Sequence, residues 1–201
     1  MSPASRWFAK IMDVNQIRFA IFLAVFLLML GLEYIIQRHP TVDVKTRRLK
    51  INLALTGIDI LVVRLFFGAA AVGAAQFAGE RGWGLFNYLQ WPEGLETLFC
   101  VVFLDLMIYI QHVVVHMIPF FWRFHIVHHS DLDLDVSSGL RFHPVEILGS
   151  MLFKIGLIFA LGPSAIAVLI FEAILNGMAL FSHSNITLPE SLDRLLRYVK
   201  I

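Results

Sequence analysis

Residues 112–130 read HVVVHMIPFFWRFHIVHHS, and the first 18 of them carry five of the chain's eight histidines. His112 and His116 stand four residues apart. On a helix both rings would leave one stripe, about 6 Å apart along the axis. Rings so spaced can bind one metal ion or reach towards two. His125, His128 and His129 follow at i, i+3 and i+4. On a helix they would fan over about 100° of one face, as three ligands converging on one centre would. Further on, RFHP offers His143 on an extended residue before proline, and FSHSN offers His183.

The number of histidines decides between two readings. A single imidazole in an apolar protein is ordinarily a hydrogen-bonded packing residue, and His39, in a basic loop, is read that way. Seven in four spaced groups would each need a separate buried partner unless they serve one purpose. Seven neutral nitrogens exceed what one four-coordinate zinc takes. They suit two metal ions with positions left open. Iron is the natural choice for an imidazole-rich site that activates oxygen, although affinity alone would not reject zinc.

These groups must be positioned by a largely apolar chain. Of 201 residues, 58% are hydrophobic and 15% charged, with a mean hydropathy of +0.75. The net charge of +1 gives no reason to expect a nucleic-acid partner. The single cysteine, Cys100, excludes an internal disulfide or a cysteine-rich metal site. Phe19 to Ile36 is an apolar run interrupted by Glu33 and close to the ~20 residues a membrane helix needs. With no small-residue cleavage site beyond it, the run is read as a retained anchor. Ile51 to Ala78, with Asp59 and Arg64 inside it, is read as a second long run, and Leu95 to Ile118 as a third. Val145 to Leu161 and Ala165 to Phe181, joined by GPS, would form a tight helical hairpin, each arm about 25 Å long. The expected fold is therefore all-α: one integral membrane helix bundle of four to five membrane helices spanning residues 1–201. Residues 1–94 would supply N-terminal membrane helices and 95–189 the histidine region.

Basic residues set the expected orientation. The loop from Gln37 to Lys50 holds Arg38, Lys45, Arg47, Arg48 and Lys50, while Gly79 to Gly94 holds only Arg81. Placing the first loop in the cytoplasm also puts Arg123, Arg141 and the tail residues Arg194, Arg197 and Lys200 there. Arg6, Lys10 and Arg18 then count on the other side. All the clustered histidines would share the cytoplasmic face of a multi-pass protein. The glycosylation sequon NIT at Asn185 would lie on the same side and is read as accidental.

The ordered segments HVVVH, WRFHIVHHS, LRFHPVE and HSN resemble the fatty acid hydroxylase / sterol desaturase superfamily of integral membrane enzymes, from about Asp105 to Pro189. The resemblance implies a non-haem di-iron centre at the cytosolic face that uses dioxygen and two electrons to hydroxylate or desaturate a lipid. By position, His112 and His116 match the first box, and His125, His128 and His129 the second. His143 and His183 match the intervening ligands. The family carries a further H-x-x-H-H box, and this chain has no histidine beyond His183. A truncated form of a longer protein is the favoured explanation, and metal binding without catalysis is the alternative.

Supporting roles are assigned more loosely. Asp105, seven residues before His112, falls on the same helical face and could accept a ring N–H. Arg141, Asp133 and Asp135 are candidates to orient ligands, although a solvated acidic loop would equally explain DLDLD. Lys154 and Glu172, on opposite arms of the hairpin, are expected to pair. Electrons must come from a partner protein or reductase, since no glycine-rich dinucleotide motif is present. Two rivals make different demands. A metal transporter needs a polar path, which Asp59, Arg64, Asp105, Lys154 and Glu172 do not form. A haem carrier needs histidines on facing helices, which the adjacent His128 and His129 do not suggest.

Overall fold

The computed structural model describes residues 3–68 and 70–199, with side chains from 16 to 196. Nine α-helices are described: α1 (Pro3–Ile35), α2 (Lys45–Phe67), α3 (Ala70–Glu80), α4 (Leu85–Leu89), α5 (Glu93–Met117), α6 (Pro119–His129), α7 (Pro144–Leu161), α8 (Ala165–His183) and α9 (Glu190–Val199). A short 3-10 helix, Val136–Leu140, separates α6 from α7. No strand is described, only an isolated bridge between Gln37 and Ile186. Lys200 lies outside the described residues, as do the side chains of Arg6, Lys10 and Arg197.

Five segments are long and apolar enough to cross a membrane: Gln16–Ile35, Lys45–Leu89, Glu93–Met117, Pro144–Leu161 and Ala165–His183. Their outward faces carry exposed Leu27 and Leu28 on α1, Leu61, Leu65 and Phe66 on α2, and Leu98 and Val102 on α5. Water would not tolerate such a surface, and lipid covers it without cost. α8 is central, packing against α1, α3 and α5. One core cluster joins Phe86, Cys100 and Leu104 to Leu161, Ala167 and Phe171, and a second sets the alanine face of α3 against Ile158 and Val168.

Three expectations need correction. The run from Ile51 to Ala78 is not one helix. The chain breaks at Gly68, where φ is +57°, a conformation that costs glycine little, and Ala70 is also at positive φ. α3 then packs on α7 and α8, where small residues allow close approach. Arg18, counted above with the residues outside the first span, lies inside it, and its Nη2 is 2.9 Å from Glu172 Oε2. The expected pair is also present, with Lys154 Nζ 3.2 Å from Glu172 Oε1.

The third correction concerns DLDLD, which is not a solvated loop. Arg48 of α2, with its side chain 3% exposed, sits among Asp131 (2.7 Å), Asp133 (3.6 Å) and Asp135 (3.1 Å). Its guanidinium also donates to the carbonyl oxygen of Asp133 and to Ser138 Oγ. Aspartates two residues apart in an extended segment leave the same face, while the intervening Leu132 and Leu134 are exposed on the other. Here the turn into the 3-10 helix, capped by Asp135 accepting from the backbone N–H of Ser137, wraps all three around one cation. A buried guanidinium requires such partners.

Candidate metal centre

α5 ends at Met117, Ile118 is extended (φ −98°, ψ 117°), and Pro119 opens α6 as its first residue. Proline at that position loses no helical hydrogen bond and arrives with the right φ. This one-residue joint sets the stripe of His112 and His116 on α5 against His125 and His129 on α6. Nε2 of His116 lies 3.2 Å from Nε2 of both His112 and His129, and His129 Nε2 lies 3.1 Å from His125 Nε2. The four ligand atoms all fall within 4.8 Å of one another. Nitrogens tetrahedrally disposed around one zinc-sized ion would stand about 3.3 Å apart. His125 is fully buried, while His112, His116 and His129 are exposed on the open side of the group. The Trp122 ring packs against His116 and His129.

His128 does not join this group. Neighbouring helical residues point about 100° apart, so His128 turns inward where His129 turns towards α5. Its Nε2 meets Nε2 of His183, from the end of α8, at 3.0 Å. His128 Nδ1 faces the carbonyl oxygen of Arg141 at 3.2 Å, and His183 Nδ1 faces that of Ala179 at 2.7 Å. A carbonyl only accepts, so each Nδ1 carries the proton and each Nε2 keeps its lone pair. Two bare lone pairs at 3.0 Å repel unless a cation lies between them. Burial, helped by His183 and His125 nearby, pushes the His128 pKa down to about 3. Burial and then His125 and His116 also lower that of His129. Both rings are thus neutral, as metal ligands must be. The donor set therefore fits metal ions: four nitrogens in one group, two in another, with no proton on the facing atoms of the pair.

Glu146 is the residue that sequence reasoning missed. Its Oε1 lies 2.6 Å from His125 Nδ1, fixing that ring's proton on Nδ1 and freeing Nε2 for the cluster. The signal was available in LRFHPVE, where Glu146 stands in the first turn of α7. Asp105, by contrast, is exposed on α5 and has no described hydrogen bond to a histidine. Arg141 braces the end of α6, donating Nε to the Val127 carbonyl (2.9 Å), Nη2 to Ser130 Oγ (3.0 Å) and Nη1 to Asn52 Oδ1 (3.1 Å). His143 stands apart from both groups: its Nδ1 caps α7 by accepting from the backbone N–H of Val145 at 3.1 Å, and its ring packs on Phe124. Asn185 of the sequon is buried and exchanges two hydrogen bonds with the His39 backbone, leaving no free amide for a glycan.

Residues 97–200, just over half of the chain, match the family model described as fatty acid hydroxylase. An apolar helical bundle with a histidine cluster at the α5–α6 joint is consistent with that match, and the chain belongs to the fatty acid hydroxylase family. Among curated proteins it is 28% identical over 123 residues to alkylglycerol monooxygenase of Caenorhabditis elegans, a stretch covering 60% of this chain and 24% of that protein. It is 31% identical over 101 residues to the ornithine lipid hydroxylase OlsE of Rhizobium tropici, covering 48% of this chain and 29% of that protein. The matched stretch thus spans less than a third of either relative. No solved structure matches.

Proposed function

We propose that this chain carries the metal-binding part of an oxygen-dependent lipid hydroxylase with a histidine-ligated di-iron centre. The observation that carries this reading is the convergence of Nε2 atoms whose opposite ring nitrogens are hydrogen-bonded to Glu146, Arg141 and Ala179. His112, His116, His125 and His129 would hold one iron, and His128 with His183 would serve the second. His143 is kept as a candidate ligand, although a neutral ring that accepts from Val145 at Nδ1 carries its proton on Nε2 and would have to give up the helix cap to bind a metal. Zinc can replace iron in a purified sample. When bound, the irons would supply oxygen activation and the oxidation of an unactivated C–H bond. The balanced reaction takes a lipid C–H, dioxygen, two electrons and two protons to the C–OH lipid and water. An electron-donor protein or reductase would deliver the electrons. The names of both relatives, a monooxygenase and a hydroxylase of lipids, favour oxygen insertion over desaturation.

The chain's own residues bind and orient. Glu146 and the Arg141 and Ala179 carbonyls hold the ring protons at Nδ1. Arg141 keeps the end of α6 in place, and Asp105 is proposed to support His112. Exposed Met117, Phe120 and Phe121 beside the four-histidine group would meet the lipid at the membrane boundary. The basic loop ending in Lys45 and Arg48 lies on the histidine face, bonded to Glu33 and Asp131. By the charge rule, that face is proposed to be cytoplasmic. The test is anaerobic iron loading followed by oxygen-dependent hydroxylation of ether and amino-acid lipids with a supplied electron donor. Loss of the second iron and of product in His128→Ala is expected, and a fully active His128→Ala protein would refute the ligand assignment.

A further inference from the structure

Glu33 sits in the first membrane helix, and its side chain is fully buried. A carboxylate there is expensive unless every lone pair is engaged. Three donors reach it, and they divide unevenly. Lys45 Nζ pairs with Oε2 at 2.7 Å. Both remaining donors go to Oε1: the backbone N–H of Val136 at 2.6 Å and that of Asn185 at 2.9 Å.

One of those backbone groups belongs to the turn that packs on His183, and the other to the chain that leaves it. Asn185 lies two residues past that histidine, where the chain leaves α8. The exit is also stitched to α1 by Arg38 N–H donating to the Asn185 carbonyl (3.1 Å) and Thr187 N–H donating to that of Ile36 (2.7 Å). Val136 opens the 3-10 helix, and Gly139 of the same turn packs against His183. A Cβ at Gly139 would come within 3.4 Å of His183 Nδ1 and 3.2 Å of the Ala179 carbonyl that accepts from it. One oxygen atom therefore ties the 3-10 helix, which packs on the His183 ring, to the exit from α8 that begins just past that residue. α1 itself contributes no histidine.

We propose that Glu33 is a positioning residue for the His128–His183 pair, acting through the two backbone N–H groups gathered on Oε1, and that the four-histidine group does not depend on it. The inference rests on the reading above that the two histidine groups bind separate ions. It discriminates between the two oxygens. Glu33→Gln keeps a carbonyl oxygen for Val136 and Asn185 and gives up only the ion pair to Lys45, which is partly exposed and can turn to water. Glu33→Met removes the acceptor altogether.

The experiment is anaerobic titration of the full chain in detergent with ferrous iron, repeated with cobalt(II), whose visible bands report the ligand geometry of each site. The expected result is two equivalents in the parent chain and in Glu33→Gln. Glu33→Met should bind the first equivalent normally and the second 10- to 100-fold more weakly, about the range for losing a ligand's supporting contacts. Adding Glu33→Met to His183→Ala should change nothing further. Should Glu33→Met fail to fold, Glu33→Asp serves, because it withdraws the acceptor by one methylene and keeps the charge; selective weakening of the second equivalent is again expected. Equal affinities in Glu33→Met or Glu33→Asp and the parent chain overturn the proposal. So does loss of the second equivalent in Glu33→Gln, which would assign the effect to charge, or equal weakening of both equivalents, which would make Glu33 a general fold support. A parent chain that binds neither iron nor cobalt overturns this inference together with the proposed function, whereas normal parent binding with an unaffected variant overturns the inference alone.

Discussion

His128 and His183 are separated by 55 residues, yet their Nε2 atoms lie 3.0 Å apart with both ring protons engaged elsewhere. A metal ion shared by the rings, or a proton that makes one of them an imidazolium, relieves two facing lone pairs at that distance, and on the proposed reading it is the metal ion. Truncating either ring should therefore remove one and the same binding site. His128→Ala and His183→Ala are each expected to lose one metal equivalent, and the double variant should lose no more than either single one. Elemental analysis of the purified proteins checks this. Additive losses would mean that the two rings serve different ions.

Glu146 fixes the His125 ring through a 2.6 Å contact and should matter more than its position off the histidine motifs suggests. Glu146→Ala is expected to weaken metal binding at the four-histidine group by about 10- to 100-fold, with the second site unchanged. Competition against a chelator of known affinity measures it. Unaltered retention would remove Glu146 from the site.

Arg48 neutralises three aspartates while almost entirely buried, so its loss leaves buried charge uncompensated. Arg48→Met should destabilise the folded chain by about 3–5 kcal/mol, and Arg48→Lys should recover only part of that, because a point charge cannot repeat the forked contacts. Thermal unfolding in detergent, followed by tryptophan fluorescence, provides the comparison. Equal midpoints for Arg48→Met and the parent would show that the network is not stabilising.

The same network has a pH signature. Burial alone would raise the Asp131 carboxyl, but hydrogen bonds from Arg48, Ser138 and Asn52 outweigh it and hold the group below the ordinary range. The backbone N–H groups of Asp43 and Val42 lower Asp133 in the same way. A carboxylate depressed on folding adds stability that is fully present above the unfolded value, about 3.9, and is lost as pH falls through the lower folded value. The parent's advantage over Arg48→Met depends on the folded carboxyls of the two proteins. Without Arg48 burial would raise them, so the advantage should be greatest near pH 7 and should already be shrinking above about pH 4 as acid protonates the variant's aspartates. Taking the difference cancels the histidines common to both proteins. An advantage that stays level from pH 7 down to about pH 4 would contradict the assignment.

Much of this was legible in the chain itself. Apolar runs of membrane length and the i, i+4 pairs His112/His116 and His125/His129 depend on local periodicity. A helix fixes which side chains share a stripe whatever it packs against. The Lys154–Glu172 pair followed from two ionisable groups facing each other across a short hairpin in apolar surroundings.

Sequence spacing could not divide the histidines. It suggested that His125, His128 and His129 converge, whereas packing sends His128 to His183 and leaves the other two facing α5. It could not show that His143 caps a helix, that Glu146 orients His125, or that Glu33 and Arg48 gather backbone and carboxylate groups from more than 80 residues away. The residues alone determined an apolar helical chain with histidines at the spacing of metal ligands. The division of that chemistry into two groups was decided only by tertiary packing, because spacing along a helix sets a direction for each ring and only the neighbouring helices set what the ring meets.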